Sequence, residues 1–112
     1  MSAFSKLMAK ICDRPEGHPA LGIDIAERLD PLAKAHPDTP DWRRSISDLL
    51  KTVDFDPSYG SRKKLAIELG YTQGLIDTNG SSEMNLWLLG EVMKRLADAG
   101  AKIPQTDPSL GR

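Results

Sequence analysis

Residues 82–99 read Ser-Glu-Met-Asn-Leu-Trp-Leu-Leu-Gly-Glu-Val-Met-Lys-Arg-Leu-Ala-Asp-Ala. At about 100° per residue, Met84, Leu88, Leu89, Val92 and Leu96 fall on one arc of a helix. Leu86, Met93 and Ala97 widen that arc past half the circumference. A helix apolar over so much of its surface needs covering on two sides, so this segment is expected to be the hub of an all-α fold. Ser81 or Ser82 offers an N-cap and Gly100 a stop. Asn85 points into the apolar arc, and a buried amide needs partners; backbone of the 72–80 loop is the expected source. Trp87 sits at the edge of the charged arc of Glu91, Lys94 and Asp98. There it either anchors a partner or closes the core against Trp42 or the N-terminal half.

Working back along the chain, Leu65, Ala66 and Leu69 give an inward face to a helix over 57–69, with Arg62, Lys63 and Lys64 starting on its outer side. Asp56 before Pro57 is the expected N-cap, with Ser58 as the alternative, and Gly70 ends the helix. Gln73-Gly74, Asp77 and Asn79-Gly80 mark 71–80 as a loop, with at most a short turn at Leu75-Ile76. Trp42, Ile46, Leu49, Leu50 and Val53 share a face of a helix over 41–53 started by Asp41. Residues 22–35 read as a helix with Ile23, Ala26, Leu29 and Ala33 on one face, kinked or split by Pro31. Phe4, Leu7, Met8 and Ile11 make residues 2–12 amphipathic, behind Ser2 as N-cap. No run of alternating β-branched or aromatic residues supports a strand.

The 112 residues make one small domain. The expected organisation is an N-terminal amphipathic helix at 1–12, a linker at 13–21, a four-helix domain at 22–104 and a flexible tail at 105–112. Fifteen Lys and Arg against sixteen Asp and Glu give a net charge of −1, which excludes a globally basic nucleic-acid binder. No membrane-length apolar run occurs. Lys6 and Lys10 interrupt the N-terminal apolar residues, which argues against a signal peptide and for a cytoplasmic protein. The single Cys12 cannot form an internal disulfide.

Catalytic and metal chemistry find no support. His18 and His36 lie in separate Pro-rich loops. Asp54-x-Asp56-x-Ser58 has Pro57 inside it and Leu65, not Glu, at the twelfth position, so it reads as capping rather than a calcium loop. No nucleophile elbow or dinucleotide-binding glycine pattern occurs, and Gly60-Ser61-Arg62-Lys63-Lys64 follows no strand. Neither enzyme activity nor a cofactor is expected. Ala66, Gly70 and Ile76 have helix-turn-helix spacing, but 73–80 would be a recognition helix with two Gly, an Asp and no basic residue.

Three blocks of sequence resemble a bacterial family known only as a domain of unknown function. Asp41-Trp42-Arg43-Arg44-Ser45-Ile46-Ser47-Asp48-Leu49-Leu50-Lys51 resembles its D/N-W-R-x-S-I-x-D-L-hydrophobic-K signature. Arg62-Lys63-Lys64-Leu65-Ala66-Ile67-Glu68-Leu69-Gly70-Tyr71-Thr72 resembles R-K-E-L-A-x-E-L-G-Y-T. Met84-Asn85-Leu86-Trp87-Leu88, Val92-Met93-Lys94-Arg95-Leu96 and Gly100-Ala101-Lys102-Ile103-Pro104 resemble its closing blocks. Ser5-Lys6-Leu7 also resembles the short N-terminal helix of family members. The resemblance implies no activity. Where members carry His after the Trp-Leu pair, this chain has Leu89; its 73–83 loop is longer and its linker shorter.

The expected function is a non-enzymatic helical interaction or accessory module for an unknown protein partner. Trp42, Arg43, Arg62, Asn85 and Trp87 form the candidate surface, since aromatic and Arg groups are common anchors. Phe4, Leu7, Met8 and Ile11 form a candidate docking helix. Nucleic-acid binding through 57–80 is the first alternative, disfavoured by the charge balance. An envelope-associated role through the N-terminal helix, with peripheral membrane contact but no span, is the second.

Overall fold

The computed structural model describes residues 2–104; the expected tail at 105–112 lies outside the described residues. Five helices follow in order: α1 Ala3–Cys12, α2 Ile25–Ala35, α3 Ile46–Thr52, α4 Tyr59–Glu68 and α5 Gln73–Asp98. The only extended pairing among the described residues is an isolated parallel bridge between Asp24 and Lys102. The fold is all-α.

Local chemistry sets most of the helix starts. Ser2, Asp24, Ser45, Ser58 and Thr72 each accept a hydrogen bond from the backbone N–H three residues on, satisfying a donor that helix geometry leaves without a partner. For α3 this corrects the expected start. Asp41 does not begin the helix; Trp42, Arg43 and Arg44 form a turn in which Arg44 and Ser45 N–H donate to the Asp41 carbonyl. For α4 the cap is Ser58, and the Asp56 side chain instead accepts from the Ser58 N–H at 2.9 Å. Gly70, at φ 113°, ends α4 as expected, and Tyr71 N–H returns to the Ala66 carbonyl. Pro31 lies inside α2 without splitting it.

The largest local correction is within 71–80, where residues 73–79 are helical rather than a loop. Thr72 caps this stretch, Ile76 is buried, and Gln73 donates to Asp77 across one turn. Of the two glycines there, Gly74 is carried within the helix. Gly80 breaks it, at φ 84° and ψ 172°, a conformation open essentially to glycine alone.

The main packing pairs run α5–α4, α4–α1, α1–α2, α2–α3 and α3–α5. That is a closed ring. Two expectations change with it. First, α1 is a full member and not an arm on a linker: Leu7 and Ile11 are fully buried, and Phe4 and Met8 pack partly against the core. The Glu68 carboxylate at the end of α4 accepts from the Ala3 and Phe4 N–H groups at 3.1 and 3.0 Å, neutralising the positive end of α1. Second, α5 is one side of the ring rather than a wrapped hub. Met84, Leu88, Val92 and Leu96 are buried, but Leu86 is 66% exposed and Gly90 and Ala97 are exposed.

The ring is clasped where its two sequence-distant ends meet. Gly22 N–H donates to the Gly100 carbonyl, Lys102 N–H to Ile23 and Ile25 N–H to Lys102. Gly100 adopts φ 97°, and a Cβ there would stand 2.7 Å from the Leu21 side chain, so both the turn and the close approach require glycine. Leu7, Ile11, Ile25, Leu29, Trp42, Ile46, Leu49, Leu50, Leu65, Met84, Leu88 and Leu96 fill the interior.

Candidate functional site

The five candidate surface residues separate into three groups. Trp42 and Arg43 form the first, in the turn that precedes α3. The Trp42 ring is only 2% exposed, and its Nε1–H donates to Asp30 Oδ1 of α2 at 3.0 Å. Arg43 grips the same carboxylate with both terminal nitrogens, at 2.9 and 3.1 Å. Its guanidinium lies 4.4 Å from the centre of the Trp42 ring. Bidentate hydrogen bonding from Arg43, with a second bond from Trp42, holds the Asp30 carboxyl below its ordinary pKa despite some desolvation. The cluster pins α2 to the approach to α3. Sequence reasoning missed Asp30, whose partners lie across a Pro-containing loop with no fixed spacing to betray them.

Arg62 and Asn85 form the second group. Arg62 Nη1 donates to Asn85 Oδ1 at 2.6 Å, and its Nε to the Pro57 carbonyl at 3.1 Å. The guanidinium stands 5.8 Å from the Tyr59 ring centre. The partner of Asn85 is thus the α4 arginine rather than backbone of the 72–80 segment. That segment's helical form turns its own backbone bonds inward. Among the described residues, no carboxylate lies within ion-pair distance of Arg62. Asn85 also borders an open depression between the start of α3 and α5, lined by Arg44, Ser45, Ile46, Ser82 and Leu86. Exposed Leu86 was assigned to the covered arc of α5 in the sequence; no neighbouring helix covers it.

Trp87 stands alone. It packs against Tyr71 with ring centres 5.0 Å apart and planes tilted by 40°, closing the turn between α4 and α5. Its aromatic partner is therefore Tyr71 and not Trp42. Leu89, where the resemblance places a His, packs partly against the core.

The candidate docking helix has little apolar surface left to offer, since Leu7 and Ile11 face inward and Phe4 also meets the Arg95 guanidinium at 5.8 Å. Cys12 is buried, and that burial raises its thiol pKa above the ordinary value, against smaller lowering by Arg14 and Arg28. Asp56 is held below the usual carboxylate range by the Ser58 N–H and hydroxyl, which fits a turn-forming role. Among the described residues, no group of three or more His, Cys, Asp or Glu could hold a metal ion, and no helix is long and apolar enough to cross a membrane.

No curated protein matches the chain. A solution structure of a conserved unknown protein from Rhodopseudomonas palustris is similar: 35% identical, with a TM-score of 0.70, covering 93% of this chain and 96% of that one. The family model described as Domain of unknown function (DUF3597) matches residues 3–104, a span that takes in all five helices of the ring. By the length of that match and by its likeness to the bacterial structure, the chain belongs to this family, DUF3597.

Proposed function

We propose that the protein is a non-enzymatic, cytoplasmic interaction module that binds an acidic segment of a protein partner at Arg62. The observation that carries this reading is the state of that guanidinium. Two neutral acceptors, Asn85 Oδ1 and the Pro57 carbonyl, fix its position, yet no carboxylate of the described chain neutralises it. A pre-oriented arginine retains donors in the fork geometry that matches a carboxylate. Holding it still in advance lowers the ordering cost of association. Exposed Leu86 borders the adjoining depression and supplies an apolar anchor, while Arg44 beside it is paired with Asp41 at 3.6 Å.

The test is affinity capture from native lysate with the wild-type chain and Arg62→Glu as paired baits, both verified as folded by circular dichroism. Proteins retained by the wild type and lost from Arg62→Glu support the reading. Identical retained sets on the two baits overturn it.

One observation favours a second reading. α4, the 69–72 turn and the helical 73–79 segment have the outline of a helix-turn-helix. Against it, the second helix carries no Lys or Arg for phosphate contact. Duplex DNA binding at low salt, where the phosphate contribution is largest, decides the matter; no binding there removes it.

A further inference from the structure

We propose that the outer seam of α5 is covered by the same seam of a second copy of this chain, the two helices antiparallel about a two-fold axis near Gly90. This inference does not rest on the Arg62 reading, although Ser82 and Leu86 also line the depression beside Asn85. Ser82, Leu86, Gly90, Met93 and Ala97 occupy an arc of roughly 80° on α5, at the i, i+4 and i+7 spacings of a helix-packing face. Leu86 is 66% exposed, Ser82, Gly90 and Ala97 are exposed and Met93 is half-buried. Met93 packs partly against the core, but none of the ring's other helices closes over Leu86, Gly90 or Ala97.

Two independent features name the occupant. The first is Gly90. A glycine inside a helix costs about 1 kcal/mol relative to alanine, and a Cβ at Gly90 would meet nothing within 4 Å. The monomer gives no steric reason for it, whereas close approach of a second helix backbone does. The second is charge. Glu83 and Lys94 flank the arc on the same side, both exposed, and neither forms an ion pair among the described residues. The midpoints of Glu83/Lys94, Leu86/Met93 and Ser82/Ala97 all fall between Leu88 and Gly90. A two-fold axis there sets Glu83 of each copy beside Lys94 of the other and Leu86 beside Met93. A parallel two-fold pairing would instead put the two copies of this flank on opposite edges of the seam, so that neither charge meets its opposite. The seam is therefore self-complementary in shape and in sign, as an isologous interface must be.

A single helix face is a small interface, so the dimer is expected to dissociate on the order of micromolar concentration. Sedimentation velocity on the full chain over a concentration series tests it. The expected result is a monomer–dimer equilibrium that Leu86→Glu abolishes, that Glu83→Lys and Lys94→Glu each weaken, and that the double reversal Glu83→Lys/Lys94→Glu restores. Arg62→Glu, off the seam, is expected to leave it unchanged. Because Leu86, Glu83 and Lys94 are exposed, these variants keep the fold. A wild-type chain that stays monomeric up to about 1 mM overturns the proposal. So does a dimer that survives Leu86→Glu.

Discussion

Arg43 and Arg62 look alike in the sequence, each beside or one turn from an aromatic residue near the start of a helix. The structure uses them in opposite ways. Arg43 closes a bidentate pair with Asp30 over the face of a buried Trp42. Arg62, near the ring of Tyr59, is held by an amide and a backbone carbonyl, and its charge stays uncompensated within the described chain. The difference lies in the third partner. A carboxylate consumes both the geometry and the charge of a guanidinium, whereas a neutral acceptor consumes geometry alone. The first arrangement joins two helices; the second leaves an oriented cation at the surface.

Trp42→Ala presses hardest on this contrast. Removing a fully buried ring from the Arg43 cluster is expected to cost about 3–5 kcal/mol in chemical denaturation. A loss below about 1 kcal/mol would mean the cluster is not part of the core. Arg62→Ala is expected to cost about 1–2 kcal/mol, the net worth of two half-buried hydrogen bonds, while removing the partner binding that the lysate experiment reads. A cost equal to that of Trp42→Ala would erase the distinction between the two arginines.

Asn85→Asp converts the second site into a copy of the first. It places a carboxylate beside Arg62 and is expected to change stability by at most about 1 kcal/mol, in the stabilising direction, because the pair is only half-buried. The same change is expected to weaken capture of an acidic partner, measured side by side with the wild type. Undiminished capture would show that the charge of Arg62 is not what the partner reads.

The smallest expected effect is that of pH at Asp30. Its folded pKa lies below the ordinary 3.8, chiefly through the Arg43 hydrogen bonds. Its contribution to stability is therefore complete above about 3.8 and is lost as pH falls through the lower folded value. Asp30→Asn is expected to reduce the fall in stability between neutral and strongly acid pH, slightly, since the side chain is half-exposed. An acid-unfolding profile identical to wild type would place the Arg43 bond outside the stability of the fold.

Features carried by short-range chemistry were legible in the sequence. Ser2 as a cap, Gly70 as a stop and the buried face of Met84, Leu88, Val92 and Leu96 all follow from spacing and local hydrogen bonds. What escaped depends on distant partners. Residues 71–80 carry strong turn signals, and only burial of Ile76 together with the Thr72 cap makes 73–79 helical. Leu86 and Ala97 belong to an apolar arc by pattern, but pattern does not count how many helices are present to cover it. The candidate surface shows the same limit. Arg62 and Asn85 were selected by residue type and prove to touch, while Trp42 and Trp87, selected on the same grounds, brace different parts of the ring.

The backbone clasp between residues 22–25 and 100–102 has a consequence for the birth of the protein. A chain leaves the ribosome N-terminus first, so α1 to α4 emerge before the backbone groups that latch α2 in place exist. The Glu68 cap gives α1 an earlier foothold, but the circuit shuts only when Lys102 is free to meet Ile23 and Ile25. Synthesis that stalls before that residue leaves a partly assembled arc, its interior leucines open to chaperones and to neighbouring chains.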